Sequence, residues 1–518
     1  MIDLGGFSIS FAQRNTMVAV LIIYSVIIVG LGIFVKVSSN KKKDNKFASY
    51  MTGGGNLNAF ELAMLTVTGA LAGGTMVGSP GLSYGVGLAA MLPVYTGFAM
   101  TLGILGISGR KTAIVAHRVG ATSPVQLLRH RYQSRVLAWV LMAAVVTFGI
   151  TQSSSNLMIA ARLFTAVTGA SSYTIGLAIA VIAILVYTLS GGIKSLAKVS
   201  VIQGTLMVVI VLVLAFRQNG AAAAQYGSVE AAVKAVAEAT PSMTSFQTWT
   251  PLFIMGMMLL YSVTVFTLPA SIQGNFTYSS TKSYKRAIII GIISITVLHL
   301  CMTGGSVLTK ALNPNLEIPD YSVVYLATSL LPSGIAGLAI CACFAAVQST
   351  VAALLVVASA SLVKDVIQTD INPNMDDKTV QRVNLVVTLI IAAVAIIIGV
   401  RPSEFTQLLN TFSTAGMMVV YLWPFFLGLY WKGATKAGAI VGAASGFIGY
   451  VVFTLIQRHA ADFWNSIGNP HAFVPALIVS LILMVIVSKV TKKVPYGVAE
   501  VWFSSDYDEE FAHKFDLK

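Results

Sequence analysis

Charge is what this 518-residue sequence has least of: Asp, Glu, Lys and Arg make up only 10% of it, while 56% is hydrophobic. A soluble domain usually carries about a quarter charged residues, so a water-soluble fold of this size is excluded. Cysteine is almost missing too. Cys301, Cys341 and Cys343 all fall in apolar stretches, with neither metal-site spacing nor a disulfide framework; they read as small packing residues. The beginning lacks the basic cluster of a cleaved leader. Its first apolar block is too long for a signal core and has no small-residue cleavage site, which predicts a retained span.

What the chain does have is long apolar runs. Met17–Val35, Val383–Val400, Ala437–Leu455 and Ala472–Ser488 are each long enough to cross a hydrocarbon core as a helix. The full pass predicts an all-α polytopic membrane protein with thirteen transmembrane helices, at 16–37, 60–84, 87–107, 136–162, 172–190, 199–216, 250–269, 287–309, 331–362, 383–400, 404–430, 437–457 and 472–488. With the Lys41–Lys46 loop placed on the cytoplasmic side, alternation puts 26 of the 33 Lys and Arg inside and seven outside. This asymmetry predicts a multi-pass plasma-membrane protein with the N-terminus outside and the C-terminus cytoplasmic. The formal charge of +14 then reflects topology and anionic inner-leaflet lipid rather than nucleic acid. The outer loop Gln218–Thr248 is Ala-rich and suits a short surface helix, and Asp365–Lys378 reads as a cytoplasmic loop.

Ionisable groups inside a membrane usually mark function, and here they are scarce. Of 19 acids only Glu61 and Glu404 lie near spans, at their ends, and His299 is the one mid-span candidate for a proton relay. Neutral oxygens are the other way to hold a hard cation. In the ninth span Ala346, Ser349 and Thr350 share a helical face, where the two hydroxyls can lean toward the Ala346 carbonyl; hydrogen bonding between helices explains the same pattern. The second span reads Thr66-Val67-Thr68-Gly69-Ala70-Leu71-Ala72-Gly73-Gly74-Thr75. Three glycines in six residues predict a broken helix whose end exposes carbonyls, or else close helix packing. Discontinuous helices of this kind form midplane ion and substrate sites in carriers.

These stretches carry a resemblance. Gly53-Gly54-Gly55-Asn56-Leu57, Leu102–Gly106, Arg131–Arg135, Ala161–Phe164, Tyr187–Gly192, Leu422-Trp423-Pro424 with Leu427–Trp431, and Gln348-Ser349-Thr350 leading to Lys364-Asp365 occur in the order seen in the sodium:solute symporter family. Within it the chain looks most like the bacterial pantothenate carriers. The resemblance implies an inverted five-helix-repeat (LeuT-like) core over 60–430, with 1–59 before it and two peripheral spans and a tail over 431–518. It also implies sodium as coupling ion, bound by the carbonyls of Thr68, Leu71 and Ala346 and the hydroxyls of Ser349 and Thr350. Family members often have Asp where this chain has Ala70, and a His and an Arg where it has Ala270 and Gly274. These departures bear on the identity of the solute.

Candidate substrate residues follow from polarity at membrane depth. Gln152, Ser153, Ser154, Ser155 and Asn156 are five consecutive polar residues, some of which must face a cavity or a partner helix. Thr75 lies just past the break. Tyr261 sits in the seventh span, where Met255–Phe266 matches the stretch that unwinds in the second repeat; it gates the site or packs in the core. Arg162 is either an anion attractor or an interfacial anchor. The expected function is sodium-coupled symport of a small organic solute, a pantothenate-like organic anion favoured, by alternating access and without covalent chemistry. The alternatives are an amino-acid symporter such as a proline carrier, a proton-coupled carrier and a transporter-like sensor.

Overall fold

The computed structural model of the chain describes residues 2–40, 57–70, 72–169, 172–190, 193–276, 280–403 and 405–503. A small hairpin, Ile2–Asp3 paired antiparallel with Ser8–Ile9, comes first; helices and their connections make up most of the remaining described residues. Among the described residues nine helices are long and apolar enough to cross a membrane, or ten if one sharply bent pair counts as a single span. Three further apolar segments, Leu88–Gly97, Tyr173–Thr188 and Pro251–Thr267, are shorter and fall at the remaining positions expected from hydropathy.

The helix ends follow local chemistry. Ser123, Ser134, Thr250, Ser280 and Thr435 each stand in a non-helical conformation and accept a hydrogen bond from a backbone N–H in the following first turn. Gly120 and Gly169 close helices Leu88–Val119 and Arg135–Thr168 in the left-handed region, where a side chain would be strained.

The layers are ordered by burial. In the most apolar windows of Ser333–Ile371 and Thr406–Tyr430, 89% and 78% of residues are buried, against 22% in Phe11–Val35; the first two form the centre and the last faces lipid. The final pair, Lys436–His459 and Phe473–Val490, lies at the periphery. Glycines let it approach closely: a Cβ on Gly446 would collide with the Val419 carbonyl, and one on Gly438 with Ser488.

The second span is broken as the glycines predict. Ala59–Gly69 and Gly74–Val86 meet at 60°, and the second half opens with a π-helical turn, Gly74–Gly78. Four expectations need correction. The seventh span does not unwind between Met255 and Phe266: Pro251–Thr267 is continuous helix, and the break falls at Leu268 (φ −71°, ψ 125°) before a short helix Pro269–Gly274. Proline explains the position, since it lacks an N–H and disfavours helical geometry in the residue before it. The segment after Gln218 begins as helix, because Ile193–Tyr226 runs on past the expected span; the surface helix is Val229–Ala239. The ninth span continues as a π-helix, Leu362–Ile371, into the expected loop. Finally, carboxylates are buried after all. Asp365 accepts a 2.5 Å hydrogen bond from the Ser123 hydroxyl, and Asp320 is enclosed near the opposite end of the molecule.

Candidate functional site

The break in the second span is where the candidate residues gather. Thr68 occupies the last turn of helix Ala59–Ala70, so its carbonyl belongs to the set without an intrahelical partner. The Ser349 hydroxyl, on helix Ser333–Ser361, donates to the Thr68 carbonyl at 3.3 Å and to the Ala346 carbonyl at 3.2 Å. Both distances are long for a hydroxyl bond. The Thr350 hydroxyl beside them is buried without a hydrogen-bond partner. The Thr68 side chain turns away and donates to Ser200 at 3.0 Å. Leu71 lies outside the described residues. Three of the expected ligands therefore meet, and a fourth adjoins them with an unused oxygen. Neutral oxygens of this kind suit a hard monovalent cation. Among the described residues no three His, Cys, Asp or Glu side chains come together as a metal site.

A cavity of about 100 Å³ leads to this point. Its wall includes Leu62, Thr66 and Gly69 of the first half-helix, Ala270, Gly274 and Asn275 after the seventh-span break, Tyr284, and Thr350 and Ala358 of the central helix. These residues border the loops rich in Lys and Arg, so the cavity reaches inward from the basic end. Gln152 lines it, and its buried side-chain oxygen Oε1 has no partner.

The other substrate candidates are distributed differently. Ser153 faces Val181, Ile184 and Ala392, away from the cavity. Ser155 donates to the Thr406 carbonyl at 2.7 Å. Asn156 uses both ends of its carboxamide: the oxygen accepts from Gly73 N–H at 2.9 Å and the nitrogen donates to the Gln152 carbonyl at 2.8 Å. Thr75 is buried in the π-helical turn beyond the break. Tyr261 is buried, and its hydroxyl accepts from Gln407 Nε2 at 3.0 Å. Gln407 and Asn410 pack directly on Gly74, where an added Cβ would lie 2.6 and 2.8 Å from them. Sequence reasoning missed this pair. Its signal was two amides three residues apart at the start of a span, which reads equally as a solvated helix end. His299 is buried and engages the Ile295 carbonyl of its own helix at 2.8 Å.

Beyond this second polar group the structure is sealed. Arg162 forms an ion pair with Asp320 and donates to the Ser403 carbonyl at 2.6 Å, and the Thr406 hydroxyl donates to the same Asp320 at 2.8 Å. Burial pushes the Asp320 carboxyl up from the ordinary carboxylate range, while Arg162 and Thr406 pull it down. Gly81 lets the second half-helix close on Asp320, since a Cβ there would sit 2.6 Å from the carboxylate. Glu61 is likewise partnered, by Lys198, and Glu404 lies outside the described residues.

A broken second span facing neutral oxygens on a central helix agrees with what comparison with known proteins finds. The family model described as "Sodium:solute symporter family" matches residues 50–446. The chain belongs to the sodium:solute symporter family. Among curated relatives it is similar to the sodium/pantothenate symporter of Escherichia coli (strain K12), 28% identical over 92% of this chain and 96% of the relative. It is also similar to the sodium/proline symporter of Staphylococcus aureus (strain bovine RF122 / ET3-1), 25% identical over 93% of each. Among solved structures, one described as the substrate-bound outward-open state of a Na+-coupled sialic acid symporter superposes with a TM-score of 0.72 at 18% identity, over 92% of this chain and 98% of that one. A nucleobase-cation-symport-1 family transporter in a closed conformation gives 0.51 at 12% identity, over 90% and 98%. The fold is thus the LeuT-like one of sodium-coupled symporters. As a family member the chain is a multi-pass sodium-coupled symporter of organic solutes and not an enzyme.

Proposed function

We propose that the chain takes up a small organic anion of the pantothenate type together with sodium, by alternating access, through a core spanning residues 60–430. In this reading all thirteen apolar segments cross the membrane, with the N-terminus outside. Sodium sits between the two halves of the site, held by the carbonyls of Thr68, Leu71 and Ala346 and the hydroxyls of Ser349 and Thr350. The observation that carries the reading is the meeting of Ser349 with the Thr68 and Ala346 carbonyls, beside the unpartnered Thr350 hydroxyl, at the head of a cavity. Sodium bound there ties the broken span to the central helix and favours the state that accepts solute. Losing it to the cavity lets the two helices part. The solute then lies between Gln152 and the Thr75, Tyr261 and Gln407 group.

The choice of an anion rests on the pantothenate relatives and on charge. Among the described residues no Lys or Arg lines the cavity, so a carboxylate would find its compensating charge in the sodium that travels with it. The wall is also small and uncharged at Ala270 and Gly274, where many family members carry His and Arg. Proline is the second reading, favoured by the relatives at 25% identity.

The test is uptake of labelled pantothenate and of labelled proline into proteoliposomes, each with an inward sodium gradient, an inward proton gradient, or neither. Sodium-driven pantothenate uptake that proline does not inhibit is the expected result. Accumulation driven by the proton gradient alone would overturn sodium coupling, and sodium-driven uptake of proline alone would replace the solute.

A further inference from the structure

The carboxamide of Asn156 meets the broken span at Gly73, where its second half begins, and is not used by the transport reading above. We infer that Asn156 is a positioning residue: by holding Gly73 it sets the angle of the break and hence the place of the Thr68 carbonyl in the sodium site. The inference rests on the proposed sodium site and assigns that site a supporting group.

Three observations carry it. Gly73 begins the second half-helix, and the first N–H groups of a helix have no partner within it. The Gly73 N–H is satisfied by Asn156 Oδ1, in a place closed to water. The polarity of the amide is also determined. Its nitrogen donates to the Gln152 carbonyl one turn earlier on the same helix, so a flipped amide would set a donor against the Gly73 N–H and an acceptor against the Gln152 carbonyl. Asparagine supplies both requirements, whereas ionised Asp lacks the donor and Leu lacks both. Finally, Gly73 is also confined by contact. A Cβ there would run into the Val347 side chain, which neighbours Ala346 on the helix that bears Ser349 and Thr350. The break is therefore held between helix Arg135–Thr168, through a directed hydrogen bond, and helix Ser333–Ser361, through contact. Thr68 is only five residues away, so a change in the seating of Gly73 is transmitted to it along the chain.

Asn156 does not need to touch the solute, and that separates this role from direct substrate binding. The experiment is a sodium titration of the purified full-length protein followed by thermal shift without solute, paired with uptake kinetics in proteoliposomes. Asn156→Ala leaves the buried Gly73 N–H unpaired, and the sodium concentration at half-effect is expected to rise on the order of tenfold. At saturating sodium the solute KM, and the preference between pantothenate and proline, stay within about twofold of the parent. Gly73→Ala, which presses on Val347 and Asn156, is expected to move the sodium midpoint the same way. It serves as the second variant if Asn156→Ala is not recovered folded. An unchanged sodium midpoint in both variants, or an altered solute KM and preference at saturating sodium, would overturn the positioning role. A parent protein with no sodium-dependent shift, or one whose shift survives Ser349→Ala, would instead sink the sodium site on which the inference stands.

Discussion

The two ends of the core are closed by different materials. At the basic end the wall is Leu, Ala and Gly with a few hydroxyls and amides, and the cavity penetrates as far as Thr350 and Gln152. At the opposite end Arg162, Asp320, Thr406 and the Ser403 carbonyl lock together. The N-terminal hairpin is tied over this lock: Asn313 Nδ2 donates to the Gly6 carbonyl at 3.0 Å, and the ring of Phe7 meets Tyr321 and Tyr325 edge-on. Apolar contacts at the basic end can part and reform in small steps. A buried ion pair cannot, because each charge without its partner is costly and the pair contributes little net stability when made. The difference teaches that one end is set to slide and the other to switch.

The largest expected effect comes from breaking the switch from one side. Arg162→Ala leaves Asp320 buried without its cation, a loss of about 3–5 kcal/mol in the sealed state. The population should move toward opening at that end. A cysteine placed at Asn410 reports this directly: labelling by a membrane-impermeant thiol reagent added from the Arg162 side should rise steeply. The double change Arg162→Ala with Asp320→Ala should label less than the single one, since it removes both charges. Equal labelling in all three backgrounds would mean that the ion pair does not hold this end closed.

The next effect lies at the head of the open cavity. Ser349→Ala combined with Thr350→Ala deletes both hydroxyl ligands, and two lost charge-assisted contacts at about 1.5–3 kcal/mol each should raise the sodium requirement for uptake by about a hundredfold or more. The solute KM at very high sodium should return toward the parent value. Sodium dependence that survives the double change would move the ion elsewhere.

How much of this was legible in the sequence differs between the same two ends. Hydropathy located the helices because the apolar runs are helices and several boundaries carry their own caps, as Ser134 and Gly169 do for Arg135–Thr168. The break in the second span was visible because glycine density is a local property. The lock was not. Arg162 and Asp320 are 158 residues apart, and an acid in a loop before a span looks solvated until the fold encloses it. Asn156 was singled out for its polarity, but its role depends on a contact 83 residues away. The pairing of Thr68 with Ser349, 281 residues apart, came from family resemblance, since local pattern offers only two separate polar stretches. The seventh-span break lies later than repeat matching predicts because Pro269, which lacks an N–H and disfavours helix in the residue before it, fixes it at Leu268.

Between the two ends, His299 distinguishes sodium coupling from proton coupling. Its ring is engaged with its own helix at Ile295, so His299→Ala should leave the pH dependence of uptake unchanged and reduce its rate by no more than about threefold through lost packing. Abolished uptake in a properly folded His299→Ala protein would revive a proton relay.

The smallest effects test whether the cavity is the solute path at all. Gln152 and Ser153 are neighbours on one helix, yet the first points into the cavity and the second into the packing against Ile184 and Ala392. Gln152→Ala removes an amide that is free to meet the solute, and the solute KM should rise several-fold, as expected for one neutral hydrogen bond of about 0.5–1.5 kcal/mol. Ser153→Ala removes a buried hydroxyl oxygen that has no partner. The loss costs no interaction, so the KM should stay within about twofold and thermal stability should hold or rise slightly. Because the two positions share a helix and differ only in the direction they face, a helix-wide disturbance would move both. A response confined to Gln152 identifies the cavity at the basic end as the route, whereas no response at either position would mean that this face of the helix never meets the solute.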